Sequence, residues 1–193
     1  MKIDLTPPSS SDNPWDRPVP LMTHKNNTDV YITETIEEPS LYNEFCALLR
    51  DASEAETVNL YLNTPGGMID SAFMIIDAIK NSKAKVIAHL SGTVASAGTI
   101  IALSCNDLVV ANHTAFMIHN YSGGLQGKGH EMKAHQRFID ESLNKAFEDI
   151  YKGFLTPEEM IEVIDGKDMW MGKEEVLARF DGSYHKKTTS KKG

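Results

Sequence analysis

The chain has very little cysteine, with only Cys46 and Cys105, and these are far apart and show no CxxC spacing. We therefore expect neither a disulfide framework nor a zinc site, and a reducing compartment fits this usage. Long apolar runs are also missing: none approaches the about 18 residues that a membrane span needs, and the N-terminus has no apolar core of signal-peptide length. These absences predict a soluble, cytoplasmic protein.

Positive charge is scarce as well. The chain carries 19 Lys and Arg against 27 Asp and Glu, which gives a formal net charge of −8. Four of the 19 cations are lysines in the segment 186–193, so the rest of the chain is more acidic than the whole. Because such a body repels phosphate backbones and anionic lipid surfaces, we expect neither nucleic acid nor a membrane as a partner.

The prolines are concentrated at one end, since five of the eight lie in residues 1–28. This composition predicts a flexible Pro-rich leader, and the lysine-rich residues 183–193 predict a basic, disordered tail. Between them, in residues 29–182, short β-rich runs alternate with helical patterns. That alternation is typical of an α/β domain with a largely parallel sheet.

One predicted helix is unusually long. From Gly129 onward apolar residues recur at spacings of three, four or seven over about 25 residues, which at about 1.5 Å per residue reaches almost 40 Å. A domain of this size does not need such a length to cover its own sheet. We therefore expect this helix to pack against another subunit of a homo-oligomer.

Three residues at predicted strand ends could carry chemistry. Ser96 lies in a turn of small residues before an apolar helix, where the helix N-terminus can stabilise an oxyanion; a structural N-cap or packing role is the alternative. His119 ends an apolar strand, and Asp168 precedes Met169–Met171. A serine, a histidine and a carboxylate are what acyl transfer from an amide or ester requires.

Other patterns limit this interpretation. The pair Gly66-Gly67 after Pro65 predicts a tight turn, which could also expose a backbone N–H to an oxyanion. The G-x-S-x-G motif is absent because position 94 is valine, which disfavours an α/β-hydrolase. His130 and His135 are five residues apart rather than four, so we expect no metal and no cofactor.

Four motifs occur in an order that matches a known family. In chain order they are L-Y-L-N-T-P-G-G at 60–67, G-T-V-A-S-A-G at 92–98, F-M-I-H at 116–119 and K-D-M-W-M at 167–171. They are similar to Y-I-N-S-P-G-G, G-Q-A-A-S-M-G, V-M-I-H and R-D-x-x-[LM] of the ClpP peptidases. Residues 29–182 thus resemble ClpP, the proteolytic subunit of the Clp protease, which has a crotonase-like fold.

The resemblance implies a fold and a site. The fold is a repeated ββα spiral with a protruding handle helix, here within about residues 122–155. The nucleophile would be Ser96, the general base His119 and the orienting acid Asp168, and the oxyanion donors would be the N–H groups of Gly67 and Ala97. The residues expected to bind substrate are Gly66, Met68, Tyr121, Gly123, Gly124 and Leu125.

The resemblance also implies an assembly. A ClpP-type serine endopeptidase would hydrolyse polypeptides inside an oligomeric chamber made of a heptameric ring or a double ring, with an AAA+ unfoldase as a possible partner. Gly166-Lys167 stands where the family often has an acid–Arg pair that links the rings, so one ring or two stays open. The alternatives are a non-catalytic ClpP-like scaffold subunit, a phage capsid-maturation (prohead) protease acting in the host cytoplasm, and a crotonase-type acyl-CoA enzyme.

Overall fold

In the computed structural model the described residues are Trp15, 19–124 and 126–181. These residues form seven strands and six α-helices. The strands are β1 (Leu21–His24), β2 (Asn27–Ile32), β3 (Thr57–Thr64), β4 (Lys85–Ala95), β5 (Asp107–Val110), β6 (Ala115–Ile118) and β7 (Met169–Met171). The helices are α1 (Asn43–Asp51), α2 (Ile69–Asn81), α3 (Ala97–Leu103), α4 (Gly129–Tyr151), α5 (Pro157–Ile164) and α6 (Lys173–Phe180).

One mixed sheet joins all seven strands, and β4 is its centre. The pairs from β2 through β3 to β4 are parallel, while β1–β2 and β6–β7 are antiparallel. The other edge of β4 pairs with β5 along Ile87–Leu90 and with β6 along Thr93–Ala95. The sheet therefore divides along β4. The C-terminal part of β4, which pairs with β6, leads into α3. The predicted α/β class is confirmed.

The core lies on one face of this sheet. Val58, Leu60 and Leu62 of β3 are buried, and the two residues between them are half-buried. They share a single hydrophobic cluster with α2 residues such as Ile75 and Ile76. Burial of this face, at about 25 cal/mol per Å² of apolar area, is the main source of stability.

The leader is shorter than the proline-rich composition predicts. Residues 21–24 form β1 and β2 begins at Asn27, so residues 21–28 belong to the sheet and the predicted boundary at 28 is wrong. Leu21 and Val30, which are paired and both buried, explain why this segment folds as a hairpin. The rest of the leader, apart from 15 and 19–20, and the tail 183–193 lie outside the described residues.

The long helix is present as predicted. Helix α4 has 23 residues, about 35 Å at the usual rise. Leu143, Phe147 and Tyr151 are buried near its C-terminal end, whereas its N-terminal half is largely exposed and includes Phe138, which is 68% accessible. The residues before it, 119–124 and 126–128, form neither helix nor strand. Among the described residues no helix has the length and apolar character to cross a membrane.

A buried ion-pair network holds the C-terminal elements around β7. The Arg179 guanidinium, 1% exposed, donates to both carboxylate oxygens of Glu159 at 2.8 Å and to Glu175 at 2.7 Å. Glu159 also completes a capping box at the start of α5 with Thr156. Because α5 and α6 flank β7, this network fixes the strand that follows Asp168.

Candidate active site

Ser96 lies at a sharp elbow between β4 and α3. Its backbone has φ 52° and ψ −124°, a conformation that non-glycine residues rarely adopt and that costs about 1–3 kcal/mol. Two backbone hydrogen bonds hold it there: the Ser96 N–H donates to the carbonyl of Met117 at 2.9 Å, and the Ser96 carbonyl accepts from the Thr99 N–H at 2.8 Å. Ser96 is the N-cap residue of α3 by position, but its hydroxyl makes no capping hydrogen bond to that helix.

The Gly66-Gly67 turn packs directly behind this elbow. Gly66 has φ 98°, and a Cβ placed on it would come 2.6 Å from the Cβ of Ser96. A Cβ on Gly67 would come 2.1 Å from the carbonyl oxygen of Ile36. Both positions therefore require glycine because backbone or side-chain atoms occupy the space that a side chain would need.

Two backbone N–H groups near Ser96 are available to an anion. The Gly66 carbonyl accepts from the Ile36 N–H at 2.8 Å, and because C=O and N–H point in opposite directions across a trans peptide, this bond directs the Gly67 N–H away from Ile36. Within the described chain the Gly67 N–H has no hydrogen-bond acceptor. The Ala97 N–H belongs to the first turn of α3, where N–H groups have no intrahelical acceptor.

His119 and Asp168 are brought together by the pairing of β6 with β7. The antiparallel register ends with Ile118 paired with Met169. His119 and Asp168 are the next residues beyond this last pair, one on each strand. The side chain of His119 is half-buried and Asp168 is exposed.

The three side chains are not hydrogen-bonded to one another in this state. Among the described residues there is no hydrogen bond from the Ser96 hydroxyl to His119 or from the His119 ring to Asp168. Catalytic hydrogen bonds are often long without substrate and tighten only in the complex. The three residues lie at the ends of the neighbouring strands β4, β6 and β7.

A cavity of about 450 Å³ opens beside Ser96. The predicted site residues that line it are Ser96, Ala97, Gly67, Met68, His119, Tyr121, Gly123 and Gly124. Asp168 and Gly66 are not among its lining residues, and Leu125 lies outside the described residues. Seven of the predicted residues besides Ser96 therefore surround one space.

The apolar wall of this cavity was not predicted from the sequence. Ile100 of α3 and Ile139, Leu143, Phe147 and Tyr151 of α4 form it. The last four follow one another at intervals of four, a spacing that marks one helix face. From the sequence alone, this row of four residues indicates only a packing surface, but in the structure it faces the site. Ile36, whose backbone pairs with Gly67, carries no comparable sequence signal.

Tyr121 joins the segment after β6 to α4. Its hydroxyl donates to the Asp140 carboxylate and accepts from the Gln136 amide. The hydrogen bond to Asp140 raises the pKa of Tyr121 above its ordinary value. The segment that bounds the cavity is thereby attached to the helix that forms its wall.

Several known proteins are similar to this chain in sequence. The family model described as Clp protease matches residues 21–179. The ATP-dependent Clp protease proteolytic subunit 2 of Pseudomonas aeruginosa is 34% identical over 127 residues, which cover 63% of this chain and 62% of that protein. Subunit 3 of Rhizobium meliloti is 31% identical over 156 residues, covering 77% of this chain and 78% of that protein. Subunit 1 of Chlamydia caviae is 26% identical over 152 residues, covering 76% and 80%.

Proposed function

Because this chain belongs to the Clp protease family, we propose that it is a serine endopeptidase in which Ser96 attacks the carbonyl carbon of a peptide bond. The observation that carries the proposal is the backbone of Ser96. A non-glycine residue at φ 52°, at a helix N-terminus and on the wall of a cavity, carries a conformational cost, and a functional role of its half-buried side chain explains why that cost is retained.

The chemistry assigns a role to each group. His119 takes the proton of the Ser96 hydroxyl as the Oγ–C bond forms, and the N–H groups of Gly67 and Ala97 bind the negative oxygen of the tetrahedral intermediate. His119 then gives the proton to the leaving amine, the C–N bond breaks, and an acyl-enzyme remains. Water attacks this ester with His119 again as the base, releasing the acid and restoring Ser96. Asp168 orients the imidazole and stabilises its charged form.

The cavity supports a preference for an apolar side chain next to the scissile bond. Its apolar wall includes Ile100, Ile139, Leu143 and Phe147, and its volume of about 450 Å³ accommodates a leucine or phenylalanine side chain. Burial of such a side chain contributes about 1.5–3 kcal/mol. An aspartate in the same place would lose its hydration without a partner, so acidic residues should be rejected.

The site is part of an assembly in this proposal. The exposed N-terminal half of α4, with Phe138 on its surface, supports packing against further copies of the chain. A heptameric ring, single or double, would enclose the cavities of its subunits in one chamber. The relatives named above are ATP-dependent proteolytic subunits, and an AAA+ unfoldase is the corresponding partner proposed for this chain.

A fluorophosphonate probe tests the peptidase directly. We expect one label per chain, mapped to Ser96, that is lost in Ser96→Ala and strongly reduced in His119→Ala. The matched control is Ser104→Ala, which removes a hydroxyl bonded to the Ile100 carbonyl at the other end of α3 and should label normally. An assembled protein that is not labelled would refute the peptidase and favour the scaffold subunit.

A further inference from the structure

A buried chain of hydrogen bonds connects α4 to the carbonyl of Ser96. The hydroxyl oxygens of Tyr151 and Thr99 are 2.7 Å apart, and the Thr99 hydroxyl lies 2.6 Å from the Ser96 carbonyl oxygen. Thr99 is fully buried, and Tyr151 is 1% exposed. The first turn of α3 does not need this connection, because the Thr99 backbone N–H already donates to the Ser96 carbonyl and closes the turn.

The direction of this chain follows from proton counting. A carbonyl oxygen can only accept, so the single proton of the Thr99 hydroxyl is donated to Ser96. The Tyr151 hydroxyl must then donate its own proton to the Thr99 oxygen. Burial raises the pKa of Tyr151 far above its ordinary value, so the donor keeps its proton at neutral and moderately alkaline pH. Donation by Tyr151 polarises the Thr99 hydroxyl and strengthens its bond to Ser96.

The bond to the Ser96 carbonyl also fixes the direction of the next N–H. Ser96 C=O and Ala97 N–H belong to one planar trans peptide and point in opposite directions. When Thr99 holds the carbonyl towards the body of α3, the Ala97 N–H is directed out of the N-terminus of α3, where Ser96 and Ala97 line the cavity. The Gly67 N–H is directed in the same manner, by the bond from Ile36 to the Gly66 carbonyl.

We propose that Thr99 and Tyr151, the last residue of α4, are positioning residues. They set the peptide plane between Ser96 and Ala97, and thereby the direction of the Ala97 N–H, the proposed oxyanion donor. This inference rests on the proposed function. Loss of an oxyanion donor costs about 10²–10³ in kcat, and a loosened donor costs less. The effect belongs to kcat, because the donor binds the oxygen of the transition state more strongly than that of the substrate.

The experiment measures kcat and KM for a short fluorogenic peptide with leucine before the scissile bond, together with binding of the matching peptide boronate. The boronate forms a tetrahedral adduct with Ser96 and reports on the oxyanion donors. We expect Thr99→Val to lower kcat and boronate affinity together by about 10-fold or more, with KM nearly unchanged. Tyr151→Phe should lower kcat and boronate affinity less. Thr99→Ser, which keeps the hydroxyl, should have kcat and boronate affinity close to wild type. The control is Thr114→Val, which removes another buried hydroxyl, bonded to the Leu90 carbonyl and away from the site.

The double variant separates positioning from packing. If Tyr151 acts through Thr99, adding Tyr151→Phe to Thr99→Val lowers kcat no further. The inference would be overturned if the two kcat losses multiplied in the double variant or if only KM changed. A folded Thr99→Val protein with wild-type kcat would also overturn it. Fluorophosphonate labelling of wild-type Ser96 keeps this outcome distinct from a failure of the proposed function. Thermal unfolding and native mass, measured on every variant, identify any loss of kcat that reflects unfolding or dissociation.

Discussion

Replacement of Gly66 by alanine tests the close packing behind the nucleophile. The new Cβ would lie 2.6 Å from the Ser96 Cβ, 2.8 Å from the Ala95 carbonyl oxygen and 3.0 Å from the Ala97 nitrogen. Two of these three contacts are with backbone, which cannot rotate away. The elbow must therefore shift by several tenths of an ångström to accommodate one methyl group.

The magnitude has two parts. The positive φ of Gly66, +98°, penalises alanine by about 1–2 kcal/mol, and overpacking adds about 1–3 kcal/mol. We expect Gly66→Ala to lower the free energy of unfolding by about 2–5 kcal/mol, a large share of the about 5–15 kcal/mol that a domain has. In the protein that remains folded, a displaced Ser96 should react with a fluorophosphonate more slowly, by up to the about 100-fold that a misplacement of about 1 Å causes.

Urea unfolding and labelling kinetics provide the measurements, and Gly153→Ala provides the control. Gly153 has φ +82°, but a Cβ added to it would have no other atom within 4 Å, so the alanine carries the conformational penalty without the clash. The difference in unfolding free energy between the two variants isolates the overpacking. If Gly66→Ala were as stable as Gly153→Ala and labelled at the wild-type rate, the close approach to Ser96 would be refuted.

Three further predictions concern the rest of the fold. Arg179→Met leaves the Glu159 and Glu175 carboxylates without their buried partner and should cost about 3–5 kcal/mol in urea unfolding, whereas Arg137→Met, in an exposed pair, should cost less than about 1 kcal/mol; equal costs would contradict the network. Burial lowers the pKa of His89 below the ordinary histidine value of 6.5. As the pH falls past 6.5, His89 therefore takes up a proton more readily in the unfolded chain than in the folded one, and stability should fall as the pH drops from about 7.5 to 5.5. This fall should be smaller in His89→Phe, and an identical pH dependence of the unfolding temperature would exclude His89 as its source. Burial raises the pKa of the Cys105 thiol to about 12, so a chromogenic disulfide reagent should modify it only after unfolding; rapid modification of the native protein at Cys105 would contradict its burial.

Much of the architecture could be predicted because it depends on local patterns. The apolar alternation of β3, the spacing of four along α4 and the cap at Thr156 are visible in the chain and occur in the fold. The hairpin of Leu21 with Val30 was missed because proline-rich composition outweighed a short strand whose stability comes from pairing with β2, which in turn pairs with β3. Propensity is a weak guide where tertiary contacts supply the energy.

The candidate site, like the fold, could be predicted only in part. Ser96, His119, Asp168 and the Gly66-Gly67 turn could be selected from the sequence because they border strands or lie in small-residue turns, and the order of the motifs made the resemblance specific. Tyr151 could not be selected, because a buried tyrosine on a helix is ordinary until its hydroxyl is found next to Thr99. Its role depends on a contact across 52 positions of sequence.

The sequence alone determined the class of fold, the order of its elements after β1 and the types of residue that could perform acyl transfer, because periodicity and turn chemistry act over a few residues. Only the tertiary structure decided which of these residues share a cavity, why Gly66 tolerates no side chain and how the carbonyl of Ser96 is held. The physical reason is that these properties depend on contacts between elements distant in sequence, where the division of β4 between β5 and β6 brings the ends of β3, β4 and β6 together.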